Sequence, residues 1–298
     1  MNKTRPVVMS FSGNDPTGGA GIQADIEAAA SMGARVAPVI TALTIQDTEN
    51  VKYFSATDAK LVSEQARVIL EDMPVAVFKI GMVGNLENMS TIHTILHDYR
   101  DIPVIVDPII SAGGGKSLAT EEMALAYSDL LFPLTSLVTP NTSEVRLLAP
   151  GADSLDACAQ ELMDDGCEYV LLTGTHEGTE LVINSLYGQH TKIASRSWER
   201  LPNNYHGSGC TLTSAIAALI ALGRSIPEAV SIAQKYAWQS LSHGYQSGMG
   251  QYHPDRLFWA ENCLERINSP ERTNSPEQKN SPEQRVGKNH KTKARNDH

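Results

Sequence analysis

Apolar residues fall along this chain in short runs separated by stretches of helical period. Val7–Phe11, Val36–Thr41, Val75–Ile80, Val104–Val106, Ser136–Thr139 and Tyr169–Thr173 are apolar at most positions. A strand covered on both faces reads as nearly continuous apolar sequence, so these segments predict buried, parallel strands. Between them, Asp58–Met73 sets Val62, Ala66, Ile69 and Met73 along one side, and Ser154–Gly166 closes on a glycine suited to a helix C-terminus. Strand and helix in alternation predict βαβ units, hence an α/β fold with an open, mostly parallel sheet and helices on both faces.

After Thr173 the pattern changes. Leu181–Tyr187 and Thr191–Ser197 predict an antiparallel hairpin at one sheet edge, joined through Gly188. Cys210–Leu222 is apolar on nearly all sides and predicts a buried helix. Pro227–His243 carries proline in its first turn and stops at Gly244, which predicts a second helix. Residues 1–267 read as a single domain. Beyond it, Asn-Ser-Pro-Glu recurs at 268, 274 and 280, and only Val286 and Ala294 are apolar side chains in 268–298. Proline at that interval blocks long helices and almost nothing can be buried, so 268–298 is expected to be a disordered extension.

Composition narrows the classes. The 298 residues are 41% hydrophobic and 19% charged, an ordinary globular mixture that excludes collagen-like and wholly disordered chains. Lys and Arg number 24 against 34 Asp and Glu, a net charge of −10, and the extension takes seven of the bases and four of the acids. The body is more acidic still, which argues against duplex nucleic acid as a partner, because affinity for phosphate backbones comes from clustered Lys and Arg. Ala215–Leu222, eight residues, is the longest apolar run, against the roughly 20 that span a bilayer. Met1–Pro6 has no apolar core behind its charges and does not read as a secretory signal. Cys158, Cys167, Cys210 and Cys263 lie far apart without a Cys-x-x-Cys pair, so neither a disulfide framework nor a structural zinc site is expected. The expectation is a cytoplasmic protein that uses neither membrane nor nucleic acid.

Three segments carry candidate chemistry. Gly13-Asn-Asp-Pro-Thr-Gly-Gly-Ala-Gly21 follows the first strand and opens a helix. Glycines there let backbone approach a ligand, although a tight strand–helix turn would use the same residues. Its spacing fits neither the dinucleotide fingerprint nor the Walker A loop. Asp25, one turn into that helix, adds a carboxylate expected to face the same mouth. Next, His206-Gly-Ser-Gly-Cys-Thr211 opens the buried helix. Gly207, Ser208 and Gly209 can present successive amides in front of a helix dipole, an arrangement that holds an oxyanion or phosphoryl group. Cys210 at a helix N-terminus is expected to favour its thiolate and to act as a base near neutral pH; a small buried cysteine after a glycine turn is the plainer alternative. Finally, Thr139-Pro-Asn-Thr-Ser-Glu144 places Asn141 and Glu144 three apart, on one face of a starting helix. They would either hold Mg²⁺ through water or form a helix cap. Asp107, ending the Val104–Val106 strand, is a further carboxylate at this sheet edge, where ligands bind in open α/β folds.

These segments, with Gln23, Thr41-Ala-Leu-Thr-Ile-Gln-Asp-Thr48, Lys79-Ile-Gly-Met-Val83 and Val106-Asp-Pro108, resemble the hydroxymethylpyrimidine/phosphomethylpyrimidine kinases of thiamine biosynthesis, a branch of the ribokinase-like superfamily. The match runs in order over about residues 6–245. It implies a ribokinase-like three-layer α/β/α sandwich, a homodimer, and phosphoryl transfer from ATP with Mg²⁺ to the hydroxymethyl group of 4-amino-5-hydroxymethyl-2-methylpyrimidine. Some members also phosphorylate the monophosphate, and relatives with the same motifs accept pyridoxine or pyridoxal. By motif matching, Gly13, Ala20, Asp25, Gln46, Met82 and Ile109 line the pyrimidine site, with Asp25 and Gln46 as acceptors for the ring's amino group. Thr139, Asn141, Thr173 and Gly174 face the nucleotide. Glu144 and Asp107 serve the metal, Gly207, Ser208 and Gly209 form the anion hole, and Cys210 is the base. Two departures stand out: Thr173 replaces a lysine that many relatives carry, and Ser208 replaces a commoner threonine.

Overall fold

Runs of alternating or continuous apolar residues build nine strands: β1 (Val7–Asn14), β2 (Arg35–Gln46), β3 (Val51–Ala56), β4 (Val75–Ile80), β5 (Val104–Val106), β6 (Leu137–Val138), β7 (Tyr169–Leu172), β8 (Leu181–Gly188) and β9 (Thr191–Glu199). The helices are α1 (Gly21–Met32), α2 (Ala59–Asp72), α3 (Leu86–Asp98), α4 (Glu121–Ala126), α5 (Thr142–Leu148), α6 (Leu155–Asp164), α7 (Ser208–Ala221) and α8 (Ile226–Ser242). This computed structural model describes residues 5–110, 121–175 and 177–260. The expected extension at 268–298, and the domain limit at 267, lie outside the described residues.

Among the described residues the strands form one sheet in the order β3-β2-β1-β4-β5-β6-β7-β8-β9. The six from β2 to β7 run parallel, while β3 on one edge and the β8–β9 hairpin on the other pair antiparallel. The period of two sorts the side chains. Val7, Met9 and Phe11 of β1 pack on one face against α2, α3 and α6 through Val62, Ile92 and Leu162. Val8, Val77 and Ile105 point to the other face, against Ala28 of α1, Ile216 of α7 and Ala233 of α8. The result is the expected three-layer α/β/α sandwich.

The edges depart from expectation. β2 runs on to Gln46 and returns through β3, where the sequence predicts a strand ending at Thr41. The extension carries apolar Leu43 and Ile45 outward, 54% and 60% exposed, and polar Thr44 and Gln46 inward, the reverse of an ordinary half-buried strand. β6 is only two residues long, shorter than the predicted Ser136–Thr139. α7 begins at Ser208, two residues before the expected Cys210, because Gly207 takes φ +84° as its N-cap.

The chain leaves β1 toward β2 on one side and crosses to β4 on the other, so β1 and β4 flank a switch point where parallel sheets leave a crevice. Above that crevice sits the start of α7, whose Ile216 is fully buried against the sheet. Ile216→Ala should lower unfolding free energy by about 2–5 kcal/mol through the cavity it leaves. Urea titration should show a lower midpoint with an unchanged slope.

Candidate active site

The C-terminal ends of β1, β4, β5, β6 and β7 open on one cavity of about 550 Å³. Gly13, Ala20, Gln46, Met82 and Ile109 line its β1 side. At Gly13 the register of β1 shifts against β2, and Gly21 takes φ +58°, where a side chain would run into the Gly13 carbonyl. Asp15, which is not among the residues expected to act, organises this loop. It accepts from the amides of Thr17 and Ala20, each at 2.8 Å, and meets His206 Nε2 at 2.9 Å. Burial alone would raise its carboxyl, but hydrogen bonds from His206 and Gln46 and the charge on His206 outweigh that and hold it far below the usual carboxylate range. Because the Gln46 amide group donates to Asp15, its carbonyl oxygen remains to accept from a ligand. The Asp-Pro in a glycine turn was the available signal for this side-chain-capped loop.

Asp25 is not where the motif match put it. It is 1% exposed and does not line the cavity. Oδ1 accepts from Ser214 Oγ at 2.6 Å and pairs with Lys79 Nζ at 3.0 Å, while Oδ2 accepts from Ser10 Oγ at 2.6 Å. Lys79, fully buried, also donates to Ser12 Oγ at 3.1 Å. Asp25 points down onto the sheet, where Ser10 and Ser12 of β1 and Lys79 of β4 occupy inward positions, so its oxygens are spent before a ring could reach them. Burial would strip the Lys79 proton, but the charge of Asp25, with that of Asp107, holds the ammonium well above its usual range.

On the opposite wall, α7 starts without a side-chain cap, leaving the amides after Gly207 facing the cavity. Gly207 is compelled: a side chain there would collide with the Gly19 carbonyl. A β-carbon on Gly209 would lie 3.6 Å from Asp107, so that carboxylate stands beside the first turn. The near-neutral thiolate expected of Cys210 is corrected. Burial, with the negative charges of Asp107 and Asp25, pushes its thiol up to about 12 despite the lowering pull of Lys79. The thiol is protonated at rest and hydrogen-bonds to Asp107.

Asp107 is itself raised by burial, against the pull of Lys79. Glu144 is raised by burial first and by the Asp107 charge second. Glu144 and Asn141 form the reciprocal cap: Asn141 Oδ1 accepts from the amides of Ser143 and Glu144, and Glu144 Oε2 accepts from the Asn141 amide, all at 2.9 Å. Both line the cavity with Thr139 and Thr173, whereas Gly174 sits behind, its amide donating to Asn184 Oδ1 at 3.1 Å. The far end carries residues that sequence reasoning missed. Trp198 and Trp238 stack with centroids 6.3 Å apart, and Gln234 Oε1 accepts from Trp198 Nε1 at 3.0 Å and Asn184 Nδ2 at 3.1 Å. They come from β9, α8 and β8, and no local pattern links them.

A sequence model of the family described as phosphomethylpyrimidine kinase matches residues 15–255. The chain belongs to that family. This phosphomethylpyrimidine kinase family member is 33% identical over 264 residues to the hydroxymethylpyrimidine/phosphomethylpyrimidine kinase of Rhizobium meliloti, covering 86% of this chain and 99% of that one. It is 33% identical over 267 residues to the thiamine biosynthesis bifunctional protein ThiED of Geobacter sulfurreducens, 88% of this chain but 54% of that protein, about half its length. In structure it resembles Bacillus subtilis pyridoxal kinase in an ADP complex, with TM-score 0.78, 23% identity, and 85% and 98% of the two chains covered. The resemblance read from the motifs and the ribokinase-like fold are both borne out, and kinase activity goes with the family. Among the described residues no helix is long and apolar enough to cross a membrane.

If Asp25 is a buried structural partner, Asp25→Ala strands the Lys79 charge and should cost about 3–5 kcal/mol of stability. Asp25→Leu combined with Lys79→Met should recover most of the melting temperature. A ring-binding Asp25 would instead raise KM and leave melting unchanged.

Proposed function

We propose that this chain transfers the γ-phosphoryl group of ATP to the hydroxymethyl group of 4-amino-5-hydroxymethyl-2-methylpyrimidine, within the cavity between β1 and α7. The observation that carries this reading is that the slot of Gln46, Met82 and Ile109 shares one cavity with the glycine turn Gly207–Gly209 and Cys210. A flat heteroaromatic alcohol fits an apolar slot with a few polar groups. The Gln46 carbonyl suits its amino group. The amides at the start of α7 suit the γ-phosphate, whose transfer needs positioning and charge neutralisation more than covalent chemistry. The stacked Trp198–Trp238 wall suits the nucleotide base.

Asp107 and Glu144 fit Mg²⁺. They are buried carboxylates on one cavity, and the Asp107 charge disfavours ionisation of Glu144, a repulsion that a divalent cation relieves. Among the described residues no cluster of three or more His, Cys, Asp or Glu could hold a metal, in keeping with an ion that takes one or two carboxylates and completes its shell with water and phosphate. Bound there, Mg²⁺ would neutralise phosphate charge. The capping box holds Glu144 in place, so the cap and metal readings of Asn141 and Glu144 coexist.

The resting thiol of Cys210 shapes the proton step. As the acceptor oxygen bonds to the γ-phosphorus and the bond from that phosphorus to the departing ADP oxygen breaks, the O–H proton passes to Sγ while the S–H proton passes to Asp107. A loose transition state asks for this only late, when the hydroxyl has become acidic. Thr173 cannot supply the charge of the family's lysine; it is half-buried and its hydroxyl donates to the Pro140 carbonyl at 3.4 Å. We further infer a homodimer, supported by Leu43, Ile45 and Tyr53, each 54–60% exposed on the β2–β3 ribbon. A cytoplasmic location suits that activity.

Incubating the protein with ATP, Mg²⁺ and a panel of alcohols and monophosphates, followed by mass spectrometry, tests the reading. The pyrimidine alcohol should gain one phosphoryl group with higher kcat/KM than pyridoxine, and the reverse preference would reassign the substrate. Cys210→Ala should lower kcat by roughly 10²–10⁴-fold with little change in KM. Full turnover in that variant would leave Cys210 a packing residue.

A further inference from the structure

We infer that Arg256, outside the cavity and far along the chain from either loop, is a positioning residue that locks the acceptor loop to the anion-binding turn. The side chain is 2% exposed and does not line the cavity. Its guanidinium nonetheless reaches both loops. Nε donates to Thr211 Oγ1 at 2.8 Å, Nη1 donates to the Gly18 carbonyl at 3.4 Å, and Nη2 donates to the Gly19 carbonyl. Thr211 Oγ1 passes the connection on by donating to the Gly207 carbonyl at 2.7 Å. One planar group therefore ties Gly18 and Gly19, which lead into the ligand-facing Ala20, to Gly207, which opens the anion-binding turn.

The geometry at the seam explains why a guanidinium is needed. The α-carbon of Gly207 packs against the Gly19 carbonyl so closely that no side chain fits, and Arg256 Nη2 lies 2.9 Å from where one would begin. Two backbones this close bring carbonyl oxygens together, and a flat cation with several fixed donors satisfies acceptors on both sides at once. The charge is balanced by Glu27 on α1, at 3.0 Å. The residue is itself anchored, its carbonyl accepting from Ser31 Oγ of α1 at 2.7 Å and Tyr236 Oη of α8 at 2.9 Å. Had Arg256 served only to pin the chain after α8 onto α1, Glu27 and these backbone bonds would suffice. The three other guanidinium bonds all go to the seam.

The acceptor hydroxyl is placed from the Gly13–Gly21 side and the γ-phosphate from the Gly207–Gly209 side, so the seam sets the distance between reacting atoms. A displacement of about 1 Å there costs about 10²-fold in rate. The inference rests on the kinase reading above, and the two fail separately: a wild-type protein with no turnover sinks that reading, while an active wild type with unaffected variants sinks only this one.

The test compares Arg256→Lys, Thr211→Val and their double variant with Glu27→Gln, by steady-state kinetics with the pyrimidine alcohol well below each melting temperature. Arg256→Lys keeps the charge near Glu27 but not the planar fork. Thr211→Val keeps the shape and removes the link to Gly207. Each is expected to lower kcat at least tenfold with KM for ATP within threefold. The double variant is expected to be no worse than the weaker single, because both break one connection. Glu27→Gln is expected to lower the melting temperature while kcat stays within twofold. Arg256→Lys or Thr211→Val with kcat within tenfold of wild type overturns the proposal. Additive losses in the double variant, or an equal kcat loss in Glu27→Gln, would do the same. Should Arg256→Lys fail to fold, Thr211→Val decides by the same threshold.

Discussion

The site depends on two backbones meeting where side chains cannot. Gly207 and Gly19 touch across the top of the sheet, one at the start of α7 and the other before α1. A side chain on Gly207 would strike the Gly19 carbonyl, and one on Gly19 would strike the rings of His206 and His253; Gly207 is required by its φ of +84° as well. On the reading proposed above, this contact brings the loop assigned to the alcohol against the turn assigned to the γ-phosphate. The Asp15–His206 pair on one side and the Arg256 guanidinium on the other close the same joint. The chemistry follows from the closure: a phosphoryl acceptor and donor held by opposite walls need no covalent help if the walls are fixed.

Beneath the joint the sheet is polar where it would ordinarily be greasy. Ser10, Ser12 and Lys79 occupy inward positions that their neighbours fill with Val8, Val77 and Ile105. An ion pair so deep gains little net stability, since desolvating both partners offsets most of their attraction. Its electrostatic consequence is local. The Lys79 charge pulls downward on the proton affinities of Cys210 and Asp107, and the Asp25 charge pushes both upward. Burial outweighs the Lys79 pull, and the thiol rests protonated.

How much of this was legible in the sequence depends on how far each partner lies along the chain. β1, β4 and β5 were readable because both faces are covered and nearly every position is apolar. β3 and the outer half of β2 were not, because Leu43, Ile45 and Tyr53 face outward and mimic a loop. Asp25 shows a subtler failure. One turn into a helix, a carboxylate can face the mouth or the sheet, and helical period alone does not choose. The deciding signal was present in Ser10-Phe-Ser12 and in Lys79, a charge within a buried strand that requires a buried partner. For Cys210 the helix dipole was the wrong effect to weigh most. A helix end is worth about 0.3–1 kcal/mol, less than the cost of placing a buried thiolate beside two carboxylates. Arg256 left no local trace, since its acceptors lie 45 to 238 positions away.

An acidic protein that binds a polyanion must concentrate positive potential at one place. Neither buried cation supplies it freely, because Lys79 is matched by Asp25 and Arg256 by Glu27. Thr173, which also lines the cavity, carries no charge. Arg200, the one Lys or Arg among the described residues lining the cavity, spends its donors on the carbonyls of Thr175, Glu177 and Thr179. Among the described residues, what remains for phosphate is the row of amides at the start of α7, backed by the helix dipole. Phosphate recognition here is thus a property of backbone shape more than of side-chain charge. That is why it hangs on a contact between two glycines, and why a guanidinium that never meets the substrate can govern it.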